Sequence, residues 1–226
     1  MRITKINIKN KEHTYRIPVV EFNIHDDLEL LKKILKQTID SKSGNDTKKQ
    51  DNDTLKYETY SIFANKLAFE AWKAYAKSDL NLSMEQPFDD HHILLSGNSI
   101  KVHVSNVRNG IEFAFDTKRG FDVIGPSKED LANGNTVDLY LQAIVGSDIV
   151  SWGEGINKSS VNAPIKIYLA GCATIQKMLC LSSSFKTLKP EFSDSSTQFK
   201  TIPLCKASTL EDVLQNAPTN TIALSP

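Results

Sequence analysis

Apolar residues recur along the chain with two distinct periods. Ile3, Ile6 and Ile8, then Tyr15, Ile17, Val19 and Val20, alternate around a turn-like Asn-Lys-Glu-His at 10–13. That pattern predicts a β-hairpin over residues 2–21. From about Asp26 the spacing becomes helical, with Leu28, Leu31, Ile34 and Leu35 on one stripe. Asp26, Asp27 and Glu29 begin that helix and Lys32, Lys33 and Lys36 follow, an order that matches the helix dipole. Residues 41–54 contain no apolar side chain and predict a linker or loop. A long amphipathic helix is expected over 55–78, with Phe63, Leu67 and Trp72 near its core face.

Strands are expected near 92–96, 99–107, 111–116, 136–146 and 164–170. Gly97-Asn98 separates the first pair and Asn109-Gly110 marks a hairpin turn before the third. Residues 117–135, with Gly120, Gly125-Pro126 and Asn133-Gly134-Asn135, predict a long connection around at most a short helix. Helical character is expected at 171–181, and again near Thr209–Gln215, capped by Ser208 or Thr209. The order is that of an α/β (α+β) chain with a central mixed sheet flanked by helices. Three parts follow from it: an N-terminal hairpin plus helix (1–40), a flexible linker or loop (41–54) and an α/β domain (55–226).

Composition narrows the classes only modestly. The chain has 226 residues and a formal net charge of zero. Residues 1–57 hold 12 Lys/Arg against 9 Asp/Glu, and the remainder 15 against 18. This is a small asymmetry that argues against avid non-specific DNA binding while leaving room for a local groove. No apolar run approaches the roughly 20 residues that span a bilayer. The N-terminus alternates instead of forming a signal-peptide core. Cys172, Cys180 and Cys205 form no metal-ligand pair. Cys172 and Cys180 fall in an apolar run and read as buried free thiols in a reducing, cytoplasmic setting.

The stretch Asp89–Val104 concentrates the candidate chemistry. Asp89 and Asp90 precede a short apolar strand, and a turn leads to a second strand on which Lys101, His103 and Ser105 share one face. Two-metal phosphodiester hydrolysis needs carboxylates that hold Mg²⁺ near the scissile phosphate, a group that positions or deprotonates water, and a cation. Asp90, Lys101 and His103 meet that geometry if the two strands pair through their turn, and Glu58 near the start of the long helix adds a carboxylate. Gln142, amid apolar residues on a central strand, either satisfies backbone groups or orients water. Plainer readings stand beside these: Asp89 and Asp90 as turn residues, Lys101 as a solvated strand residue, Trp72 and Trp152 as packing. His91 and His92 suit Zn²⁺ or Mn²⁺ chemically, but neighbours on a strand point opposite ways.

Taken in order, these pieces resemble the restriction-endonuclease-like superfamily with its PD-(D/E)XK motif. The resemblance spans roughly residues 55–216. It rests on Glu58, on Asp89 or Asp90 before a strand hairpin, and on Ile-Lys-Val-His at 100–103. Val-Asp-Leu-Tyr-Leu-Gln at 137–142, Trp152-Gly153 and Ile202-Pro203-Leu204 complete it. It implies Mg²⁺ or Mn²⁺ held by Asp90, Asp89 and Glu58, with Lys101 or His103 stabilising charge or activating water and Gln142 orienting the site. It also implies double-stranded DNA as partner, and a homodimer or a subunit of a type II restriction or phage-defence system, with no membrane association. The chain departs from the motif where members carry Glu or Asp (here Lys101) and where they carry Lys (here His103). A protonated lysine cannot ligate Mg²⁺. Either the missing acid has moved, to Glu112, Asp116 or Glu58, or the fold binds DNA or protein without cutting, as an interaction or scaffold subunit.

Overall fold

The computed structural model describes residues 1–9, 13–23, 25–43, 52–85, 93–107, 110–117, 120–145, 164–182, 184–188 and 196–215, without the side chains of 41–43, 52–58 and 60. It is an α+β structure built on a mixed seven-stranded sheet, with helices on its flanks and a three-stranded sheet beside it.

The N-terminal alternation forms the expected hairpin, β1 (Arg2–Lys9) against β2 (Thr14–Phe22), in unbroken antiparallel register. The β2 ladder to β8 (Ile165–Thr174) covers Val19–Phe22. It stops at Pro18, which has no N–H to donate. Helix α1 (Leu28–Ser43) buries Leu31, Ile34, Leu35 and Thr38 on one stripe, and the Thr38 hydroxyl donates to the Ile34 carbonyl at 2.8 Å. Helix α2 (Asn52–Asp79) buries Phe63, Leu67, Trp72 and Tyr75, and the buried Ala64, Ala68, Ala71 and Ala76 let it lie close to the sheet. Both helices extend into the segment expected as a 41–54 linker, α1 to Ser43 and α2 from Asn52; residues 44–51 lie outside the described residues. Residues 1–40 share their core with the rest of the chain. Val20, Phe22 and Leu31 join one buried cluster with Leu67 of α2 and Leu141.

Strands β3 (Met84–Glu85), β4 (Ile93–Leu95) and β5 (Asn98–Asn106) follow, antiparallel to one another. The β4–β5 turn is Ser96-Gly97, one residue earlier than expected, with φ of 47° and 86°. Two positive φ values suit a tight two-residue hairpin loop. The strand expected at 111–116 is instead a single helical turn, α3 (Ile111–Ala114). Ile111, Phe113 and Phe115 alternate in sequence, but the residues buried are Ile111, Ala114 and Phe115, a helical spacing. The neighbour of β5 is therefore β7 (Leu139–Val145), and the pairing is parallel, not a third antiparallel strand.

The connection to β7 carries a strand that the sequence pattern concealed, β6 (Asp122–Ser127), and then α4 (Lys128–Ala132). Gly125-Pro126 reads as a turn, yet a Cβ at Gly125 would lie 2.9 Å from the Lys200 carbonyl and from the Met178 sulfur, so the glycine permits close approach. Strand β8 runs to Thr174, past the expected end at 170, through a bulge at Gly171. Helix α5 (Ile175–Leu181) follows, then β9 (Phe185–Leu188), β10 (Thr197–Pro203) and α6 (Leu210–Gln215), whose Thr209 hydroxyl accepts from the Asp212 amide. The large sheet orders β1-β2-β8-β7-β5-β4-β3 and the small one β6-β10-β9. A second buried cluster, including Val123, Tyr140, Ile144, Met178 and Ile202, fills the space between the sheets. Cys172 is buried as expected, and burial pushes its thiol up to about 12. Cys180 is exposed, because α5 turns Met178 and not Cys180 inward. No helix among the described residues is long and apolar enough to cross a membrane.

Gly171 has φ of 147°, and a Cβ there would sit 2.8 Å from that of Ala207, beside the Cys172–Ser208 bridge. Gly171→Ala is expected to cost about 2–3 kcal/mol, read as a lower urea midpoint at unchanged slope.

Candidate functional site

Alternation along β5 sorts its side chains between two layers. Val102 and Val104 pack against the cluster beneath α1 and α2. Lys101, His103 and Ser105 take the opposite face, toward β6, β10 and α4. The parallel register with β7 sets Lys101 beside Tyr140 and His103 beside Gln142. Three of the residues singled out in the sequence, Lys101, His103 and Gln142, thus share one region.

Lys101 meets a carboxylate that the motif reading missed. Helix α4 opens with a capping box: the Asp130 amide donates to Ser127 Oγ at 2.9 Å, and the Ser127 amide donates to Asp130 Oδ2 at 3.0 Å. The same Oδ2 accepts from Lys101 Nζ at 3.4 Å. Burial works to raise the Asp130 carboxyl, but the Ser127 hydrogen bonds and the Lys101 charge outweigh it, and the net shift is downward. The sequence signal was Ser127-x-x-Asp130, a helix-start pattern.

His103 is held by rings instead of hydrogen bonds. Tyr140 stacks on it at 6.5 Å between centroids and Phe199 of β10 meets it edge-on at 6.2 Å. Its Nε2 is buried and has no hydrogen-bond partner among the described residues. Burial, aided by the Lys101 charge and opposed by Asp130, pushes the imidazole down from 6.5 to about 4. Such a group is neutral near pH 7 and far less basic than a general base matched to that pH.

Gln142 is fully buried. Its Oε1 accepts from the Ile124 amide of β6 at 3.3 Å, while Nε2 donates to Ser105 Oγ at 3.0 Å and to the Ala143 carbonyl at 3.1 Å. Of the two roles open to it, this is the satisfying one: the amide ties β7 to β5 and to the second sheet.

The remaining expected site residues are not brought into this picture. Asp89, Asp90, His91 and His92 lie outside the described residues, as do Trp152 and Gly153; position 58 belongs to α2, but the Glu58 side chain is outside them too. Glu112 sits on α3, within electrostatic reach of Tyr168 on β8, and Asp116 follows that helix. Trp72 is core packing, as the plainer reading had it. Among the described residues no three His, Cys, Asp or Glu side chains are grouped to hold a metal. Mg²⁺ takes oxygen donors, and the described face offers an ammonium, a buried imidazole, an engaged amide and one carboxylate already paired. The carboxylates that the resemblance assigns to Mg²⁺, Asp89, Asp90 and Glu58, lie outside the described side chains. Comparison with known protein families, with curated proteins and with solved structures finds no match to this chain.

The His103 environment gives a pH signature. Its folded value lies below its unfolded value, so as pH falls the unfolded chain takes up the proton first. The stability that neutral His103 contributes is complete above about pH 6.5 and is lost progressively toward pH 4. The loss is about 3 kcal/mol at most. His103→Leu, which keeps the apolar sandwich, is expected to flatten the urea midpoint between those limits relative to the unsubstituted chain. An unchanged pH profile would show that His103 is not buried neutral.

Proposed function

We propose that the chain is a non-cleaving protein-interaction or scaffold subunit built on a nuclease-like frame. A mixed sheet flanked by helices, with the β4–β5 hairpin after α2, is compatible with the frame that the resemblance asks for. The observation that carries the reading is the closure of the polar β5 face by the chain's own second sheet. Lys101 is paired with Asp130, His103 lies between Tyr140 and Phe199, and Gln142 is engaged at both ends of its amide. Lys101, His103 and Gln142 thus have their contacts within the chain, across the two layers.

One observation favours a second reading. The Lys101 side chain keeps 43 % of its exposure, so its ammonium is reachable from solvent. In that reading Asp90, Asp89 and Glu58 hold Mg²⁺ or Mn²⁺ on double-stranded DNA, in a homodimer or in a subunit of a restriction or phage-defence system. Incubation of the purified chain with supercoiled plasmid in Mg²⁺ and in Mn²⁺, and with a labelled duplex from about 50 to 200 mM salt, separates the two. The interaction reading expects neither nicking nor a shift. Nicking that disappears in Asp90→Ala establishes the nuclease, and a salt-dependent shift without nicking establishes a DNA-binding protein; either overturns the first reading.

A further inference from the structure

The large sheet has two edges, and they are managed differently. At one end β3 is only two residues long, and its Met84 is buried in the core. Of the two edges of the small sheet, β9 has four residues, and β6 has six but contains Gly125-Pro126 and spends its Ile124 amide on Gln142. Short strands of this kind offer little backbone for another chain to pair with. The opposite edge of the large sheet is β1, eight residues long, with no proline or glycine and with all eight residues in register with β2. Among the described residues β2 is its only strand partner. A long, regular edge strand presents a row of N–H and C=O groups ready to accept another strand.

What β1 carries is charge of one sign. Arg2, Lys5 and Lys9 are its charged residues, and it has no acid. Lys5 is anchored, with Asp79 of α2 and Glu211 of α6 each at 3.6 Å from its ammonium. Tyr75, beneath it, donates to Glu211. Arg2 lies across from Glu21, which Lys166 already holds at 3.3 Å. Lys9 is exposed at the other end. A second copy of β1 laid alongside would bring two all-cationic strands together, and like charges across a ladder are destabilising. The same cations favour a strand that carries acids.

We propose that the outer edge of β1 docks an extended, acidic segment of another protein as an eighth strand of the large sheet. Main-chain hydrogen bonds supply the affinity, and Arg2 and Lys9, at the two ends and on opposite faces of the strand, select carboxylates on either face of the docked segment. This rests on the reading of the chain as an interaction subunit and names the chemistry of its partner.

The test uses the full chain and two fluorescein-labelled peptides that carry charge on both faces of an extended strand, one repeating valine-glutamate-glutamate and one repeating valine-lysine-lysine. Anisotropy reads binding and amide hydrogen exchange reads its place. The acidic peptide is expected to bind, less tightly as salt rises, and to slow exchange along β1, while the basic peptide does neither. Because Arg2 and Lys9 are exposed, the double variant Arg2→Glu/Lys9→Glu is expected to keep its circular dichroism and to bind the acidic peptide about tenfold more weakly. No binding, protection elsewhere than β1, or equal binding by the double variant overturns the proposal. Concentration-dependent dimerisation that protects β1 without peptide also overturns it, in favour of a second copy. These readouts are separate from nicking and duplex shift, so failure here is distinguishable from failure of the interaction reading itself.

Discussion

One buried amide sets the distance between the two sheets. Gln142 sits on the central strand β7 with no exposure, and a polar group in that position costs several kcal/mol if it is left unpaired. It is satisfied only because three groups converge on it: the Ile124 amide of β6, Ser105 of β5 and the Ala143 carbonyl of its own strand. Those contacts hold β6 against the large sheet at hydrogen-bond range. With β6 in place, β10 pairs to it and brings Phe199 over His103, and Ser127 at the end of β6 starts α4, which turns Asp130 toward Lys101. The polar row on β5 and β7 thus organises the second layer, and the apolar cluster around Val123, Ile144 and Ile202 fills what remains.

The interactions in that row are unequal, and their magnitudes decide what each does. The Lys101–Asp130 pair is partly exposed, with 43 % and 24 % of the side chains accessible, and such pairs contribute about 0–1 kcal/mol. An unpaired buried nitrogen such as His103 Nε2 costs about 1–3 kcal/mol. Two ring contacts of about 0.5–1.5 kcal/mol each offset that, so the imidazole is tolerated as an aromatic filler. Cohesion between the layers therefore comes from Gln142 and the apolar cluster, with the charged pair adding orientation more than energy.

How much of this was legible in the sequence depends on whether a local pattern carried it. The hairpin, α1, α2 and α6 were readable because each buries one stripe or one face, and a period reports that directly. Helix α3 was not, since Ile111, Phe113 and Phe115 alternate like a strand while Ile111, Ala114 and Phe115 fit a helix, and only burial decides between them. Strand β6 hid behind Gly125-Pro126, whose role is set by Met178 and Lys200, remote in sequence. Strands β9 and β10 are short and only partly buried, so their sequence carries no strong alternation, and their place depends on the pairing of β10 with β6. That Lys101 and His103 share a face was legible from alternation; Gln142 was linked to them only by the resemblance, because the parallel pairing of β5 with β7 was not expected. The partner of Lys101 is Asp130, whose sequence signal is the helix-start pattern Ser127-x-x-Asp130 and carries no mark of a pairing with a strand remote in sequence.

The same geometry that makes the polar face attractive as a site argues against its use as one. A substrate reaching the fully buried Gln142 has to part β6 from the large sheet, and that movement uncovers the cluster between the sheets. Burying apolar area contributes about 25 cal/mol per Å², so opening even a few residues of that cluster offsets much of the stability of an ordinary domain. Surfaces that are already open need no such expenditure. The edge of β1 is one of them: its side chains are partly anchored by Asp79 and Glu211, its backbone is regular, and its charge has one sign. In this fold Gln142 and the apolar cluster hold the layers together, and the long edge strand β1 has only β2 as strand partner among the described residues.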